Sequence, residues 1–146
     1  MPKEYLVDLD LNGRKITDAG NASADTDVPT RQQIKEFQRG GTILTPTGAL
    51  NIIVWRAPYA CTVTAIKGWR TGGTGATINA GKGTIATPTN KIRSADLSLT
   101  SADSWMDGGG VQNTAFAAGD PLIIILASIT GAVTQIAIQV DFTKDP

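Results

Sequence analysis

Apolar and polar residues alternate most regularly near the end of the chain. From Thr134 to Phe142, Ile136, Ile138, Val140 and Phe142 fall on one side, while Gln135, Gln139 and Asp141 fall on the other. A period of two is the signature of a β-strand with one face in a core and one in water. Ala95, Leu97 and Leu99 alternate in the same way with Ser94, Asp96 and Ser98. So do Cys61, Val63 and Ala65 with Thr62 and Thr64. Leu122–Leu126 is an unbroken apolar run and Leu50–Trp55 is apolar apart from Asn51, which predicts strands covered on both faces.

Turn formers separate these runs: Ala57-Pro58, Thr71-Gly72-Gly73-Thr74-Gly75, Pro88, Gly108-Gly109-Gly110, Gly119-Asp120-Pro121 and Thr130-Gly131. Short strands with such punctuation predict an all-β fold, an antiparallel β-sandwich of jelly-roll type. A helix is predicted only over Thr30–Phe37. Asp27 or Thr30 would cap it, Pro29 would sit in its first turn, and Ile34 with Phe37 would form an i, i+3 apolar edge.

Charge divides the chain. Residues 1–39 hold six Lys or Arg and seven Asp or Glu, half of all charged residues in about a quarter of the length. The texture changes at Gly40-Gly41, which predicts an N-terminal arm over 1–39 and a sandwich over 40–146. In the arm, Leu6, Leu9, Leu11 and Ile16 are scattered among charges and make no hydrophobic face of their own. Such a segment orders only against a partner surface that offsets its chain entropy. Asn12-Gly13 favours a tight type I′ turn that would join Leu9 and Leu11 to Ile16 as a small hairpin, itself marginal without neighbours.

Formal net charge is zero. That removes the surplus of Lys and Arg that nucleic acid or an anionic membrane surface would require. No apolar run approaches the roughly 20 residues of a membrane helix, and the first ten residues lack the apolar core of a signal peptide. With one cysteine, Cys61, no internal disulfide can form, which fits synthesis in a reducing cytoplasm.

The arm's own residues carry a family resemblance. Leu9-Asp10-Leu11-Asn12-Gly13-Arg14-Lys15-Ile16-Thr17-Asp18 is followed by Ala24-Asp25-Thr26-Asp27-Val28-Pro29-Thr30-Arg31-Gln32-Gln33-Ile34. This resembles an element of phage tail fibres and head fibres: an L-N-G-x-K-I-T-x stretch, a few residues, then A-D-x-D-A-x-T-x-x-x-[IV]. The match spans about 30 residues and departs from the pattern at Pro29. The remainder resembles small jelly-roll domains of phage decoration and fibre proteins in texture. The resemblance implies a homotrimer on a virion surface, with Leu6, Leu9, Leu11, Asn12, Gly13, Ile16, Asp25, Asp27, Thr30, Ile34 and Phe37 at the oligomer or anchoring interface. It implies the major capsid protein or other virion proteins as partners. Two locations follow: a capsid decoration (cement or head-fibre) protein, or a short tail fibre whose sandwich recognises the host.

Catalytic motifs fare poorly. The chain has no histidine, so no Ser-His or Cys-His pair can form, and zinc would lack both His ligands and a second Cys. The glycine-rich Gly75–Thr84 fails the phosphate-loop pattern, with Ala76 and Gly83 at two required positions. Asp8, Asp10, Asp25 and Asp27 lack the spacing of an EF-hand loop. Asp96, Asp103, Asp107 and Asp120 are the carboxylates that a glycoside-cleaving pair would draw on. Asp96 falls on a polar strand face and Asp120 in a turn. Asp103 and Asp107 flank Trp105 in a loop, a candidate contact for a host-surface glycan, against the ordinary alternative of solvated loop acids beside a half-buried Trp. Trp55, Trp69 and Trp105 could form a carbohydrate platform, but Trp55 follows Ile52-Ile53-Val54 and Trp69 follows Ile66, which favours core or subunit-interface places for both. The expectation is a non-enzymatic structural protein with no cofactor.

Overall fold

The structure, a computed structural model of the 146-residue chain, describes residues 35–86, 88 and 90–145. Those residues form ten strands and no helix: β1 (Glu36–Leu44), β2 (Leu50–Arg56), β3 (Cys61–Gly72), β4 (Gly75–Lys82), β5 (Asn90–Lys91), β6 (Leu97–Leu99), β7 (Met106–Asp107), β8 (Ala115–Phe116), β9 (Pro121–Thr130) and β10 (Val133–Lys144). In one sheet the order is β1-β10-β3-β7, with β8 also on β3; in the other it is β2-β9-β4-β5, with β6 also on β4. Every pairing is antiparallel.

The pairings are nested. β1 meets β10, β2 meets β9, β3 meets β7 and β8, and β4 meets β5 and β6. A long antiparallel ribbon rolled up in this way, its strand pairs falling alternately in two packed sheets, is a jelly roll. The ribbon changes sheet between β3 and β4 and between β9 and β10, and these two turns lie against each other. Gly73 and Gly131 both have positive φ there, 62° and 76°. A Cβ on Gly73 would stand 2.5 Å from Val133 Cγ2 and 2.7 Å from the Thr130 carbonyl oxygen, so only glycine fits.

The core lies between the sheets. Ile136, Ile138, Val140 and Phe142 of β10 are buried, as their alternation predicts, together with Val63, Leu97 and Leu99. Leu122–Leu126 of β9 are buried on both faces, as expected of a central strand. Gly68 on the inward face of β3 lets the opposite sheet approach, since a Cβ there would fall 2.4 Å from Ile78 Cδ1.

The structure corrects the sequence reading at several points. Residues 30–34 of the helix expected over Thr30–Phe37 lie outside the described residues, and in the rest of that stretch Glu36 and Phe37 open β1 and are not helical. Phe37 pairs in register with Phe142, and their rings stack at 5.3 Å. That burial outweighs a two-residue helical edge. The division expected at Gly40 therefore falls inside a strand; the compact unit reaches back to Lys35. Leu50–Trp55 is not covered on both faces. Among the described residues β2 is an edge strand paired only with β9, and Leu50 and Ile53 are 43% and 49% exposed. In β3 the alternation slips. Val63 pairs with Phe142 and Ala65 with Asp141, so Thr64 bulges out, Ala65 leaves the core face and Ile66 takes its place.

Candidate functional site

Beyond the bulge, β3 presents Lys67, Trp69 and Thr71 on its outer side, since Ile66 and Arg70 between and beside them are buried. Register sets their neighbours. Lys67 lies opposite Gln139 and Trp69 opposite Ala137 on β10, while Asp107 of β7 pairs with Lys67 on the other flank. Trp105, just before β7, is thereby brought beside Trp69, with ring centroids 5.9 Å apart and planes at 64°.

Hydrogen bonds fix this surface. The Lys67 ammonium donates to Asp141 Oδ2 at 2.8 Å, and the Gln139 amide donates to Asp141 Oδ1 at 2.7 Å. Asp141 thus ties two side chains of the face together. The hydrogen bond and charge of Asp141 hold the Lys67 pKa above its ordinary value, with desolvation opposing and Asp107 adding a smaller upward push. The ammonium is therefore charged throughout the neutral range. Lys67, Trp105, Asp107 and Gln139 together line an open depression of about 370 Å³. A second depression of about 520 Å³, lined by Glu36, Phe37, Gln38, Thr64, Asp141 and Phe142, lies on the same sheet. It has no exposed aromatic ring, because Phe37 packs against the core and Phe142 is buried.

Of the loop residues singled out in the sequence, Trp105 and Asp107 come together at the first depression and Asp103 does not. The Asp103 carboxylate accepts a hydrogen bond from the Thr71 hydroxyl at 2.9 Å, and that hydroxyl in turn accepts from the Trp69 indole at 3.1 Å. The Asp103 amide donates to the Arg70 carbonyl at 2.8 Å, with φ at 55°. Asp103 pins the loop onto β3 and steadies Trp69. Of this face, the sequence offers Trp69 as a possible sugar-platform ring but favours a core or interface place for it, and Lys67 is the member that sequence reasoning missed. Lys67 stands two residues before Trp69, so placing Trp69 on the outer face would have placed Lys67 there with it.

No protein-family model matches the chain, and no curated protein sequence matches it. Leu6, Leu9, Leu11, Asn12, Gly13, Ile16, Asp25, Asp27, Thr30 and Ile34 lie outside the described residues. Phe37 lies within them, where it contacts Trp55, Tyr59 and Phe142 of its own chain.

The other candidate carboxylates are engaged elsewhere. Asp96 is held by Asn79 at 2.8 Å and Lys91 at 3.0 Å. Burial pushes its pKa up, but these hydrogen bonds and the Lys91 charge outweigh it and leave the carboxyl below its ordinary value. Asp120 accepts from the Ala117 amide at 3.0 Å and from Lys82 at 3.2 Å, which hold it low against partial desolvation. Each serves its own turn or strand pair.

Cys61 is fully buried beside Val63 and Phe116. Burial, then the charges of Asp145 and Asp120, push its thiol up to about 11. Roughly one thiol in a few thousand would then be ionised at pH 7.5. A thiol-specific reagent such as iodoacetamide should leave the folded protein unlabelled over hours at that pH and label it fully in denaturant. Rapid labelling of the native protein would contradict this environment.

Proposed function

We propose that the chain is a non-enzymatic structural protein of a bacteriophage virion, a trimeric capsid decoration protein whose N-terminal arm holds it to the shell while the jelly roll faces outward. The observation that carries this is the Leu9–Asp18 and Ala24–Ile34 pair of submotifs standing immediately before a jelly-roll domain. Physical features support the same conclusion. Zero net charge leaves little repulsion between copies. Leu44, Leu50 and Ile53 are large apolar side chains left exposed near the outer edges of the two sheets, as suits a protein that assembles. The arm's scattered leucines would gain order from neighbouring subunits and the major capsid protein.

A short tail fibre with a host-recognising tip is the second reading, favoured by Trp105 standing half-exposed above a polar depression. Copy number separates the two. Gel densitometry of purified particles should find the protein in hundreds of copies if it decorates the shell, and in a few dozen at most if it is a fibre. Its absence from the particle would overturn both.

A further inference from the structure

We propose that the outer face of the β1-β10-β3-β7 sheet is a binding site for a neutral saccharide, with Trp105 as the stacking platform and Lys67, Gln139 and Asp107 as the hydroxyl partners. The inference does not depend on where in a particle the protein sits.

The aromatic part comes first. Trp105 is 51% exposed, so its indole has an open surface instead of a place in the core. Its ring is nonetheless not loose. Trp69 braces it edge-to-face, and Trp69 is itself fixed through the chain Trp69–Thr71–Asp103. A braced ring loses little rotational freedom when a ligand lands on it. The negative face of an indole attracts weakly positive edges, and the C–H side of a pyranose ring presents such an edge in a flat, ring-sized array.

The polar part is arranged beside it. The Lys67 ammonium has three donors, of which Asp141 takes one. Gln139 spends one amide hydrogen on Asp141 and keeps its second hydrogen and its carbonyl oxygen. The Asp107 carboxylate accepts no hydrogen bond among the described residues. Fixed donors and free acceptors therefore stand side by side next to an aromatic plane, which is the combination that a polyhydroxylated ring needs. A purely apolar partner would strand these groups without hydrogen bonds.

Charge and size narrow the ligand. Lys67 is balanced by Asp141, and Asp107 leaves the face with an excess negative charge. Sialylated, uronic and phosphorylated sugars are disfavoured by that excess, and neutral ones are not. A volume of about 370 Å³ lies near the lower end of ligand sites, enough for a short terminal stretch of glycan and not for a long buried polymer. So open a site binds each copy weakly, and several copies on one assembly would strengthen attachment by avidity.

The test uses the full-length protein on an immobilised array of neutral and acidic oligosaccharides, followed by tryptophan-fluorescence titration with the neutral glycan that gives the strongest signal. Binding should appear among neutral glycans, fall at least tenfold in Trp105→Ala and at least threefold in Gln139→Ala, with circular dichroism and melting temperature unchanged. Silence across the neutral glycans, a preference for acidic ones, or undiminished binding by folded Trp105→Ala would overturn the proposal. So would a glycan-silent protein whose oligomer dissociates on Trp105→Ala, which would make this face a subunit contact.

Discussion

Phe142→Ala should cost about 3–5 kcal/mol of folding stability, the range for removing a buried phenylalanine from a packed core. The side chain is 1% exposed and lies at the centre of an aromatic cluster that joins the two sheets. Its ring stacks on Phe37 of β1 at 5.3 Å and 7°, and meets Phe116 of β8 edge-on at 5.4 Å. From the opposite sheet, Trp55 of β2 approaches to 5.3 Å. Arg39 closes the cluster from outside, its guanidinium carbon 5.1 Å from the Phe37 ring and 5.4 Å from that of Trp55. Aromatic pairs of this geometry add about 0.5–1.5 kcal/mol each beyond area burial, and alanine at position 142 removes three at once. A cavity shared by four strands cannot close without moving both sheets, which places the cost at the upper part of the range. Urea denaturation should show a lower midpoint with an unchanged m-value. A loss below about 1 kcal/mol would mean that the remaining rings collapse into the space and that the cluster does not bind the sheets together.

The same cluster explains what was legible in the sequence. The alternation of Ile136, Ile138, Val140 and Phe142 is uninterrupted, so the inward face of β10 could be read directly. Phe37 could not, because the partner that makes it a strand residue is Phe142, more than a hundred positions later. Local spacing to Ile34 was the only signal available near it. An apolar run likewise identifies a strand without telling a central one from an edge. Leu122–Leu126 and Leu50–Trp55 look alike until register places β9 between two neighbours and β2, among the described residues, beside one. Ala65 was misplaced by a bulge at Thr64, whose single extra residue reverses the faces that follow. The candidate site divides in the same way. Trp105 and Asp107 are close in sequence and were visible; Lys67 and Gln139 meet them only through the β3 register. Asp103, equally close, is captured by Thr71 and becomes a support instead.

Arg70→Met should be comparably damaging, about 3–5 kcal/mol, for the opposite physical reason: what it removes is polar. Arg70 points into the end of the sandwich and is 2% exposed. Its guanidinium makes no ion pair among the described residues. Nε donates to the Leu99 carbonyl at 2.9 Å, Nη1 to the carbonyls of Gly72 and Gly73, and Nη2 to the Thr100 carbonyl at 3.0 Å. Four backbone oxygens thus solvate one buried charge, and in return a single side chain ties the end of β3, the turn that crosses to β4 and the end of β6. Methionine preserves much of the apolar stem but leaves those oxygens unpaired. Each stranded group costs about 1–3 kcal/mol where water cannot reach it, and the open side of the turn lets water relieve some of them. Arg70→Lys should cost roughly half as much, because an ammonium has three donors on a single atom and cannot span acceptors that the planar fork reaches. Chemical denaturation would rank the two variants. Hydrogen exchange should show the loss locally, with the Thr74 amide, which donates to the Thr130 carbonyl at 2.8 Å, opening sooner in Arg70→Met than in the parent protein. A methionine variant within about 0.5 kcal/mol of the parent would show that water replaces the guanidinium at all four oxygens, and that the sheet-crossing turn does not depend on Arg70.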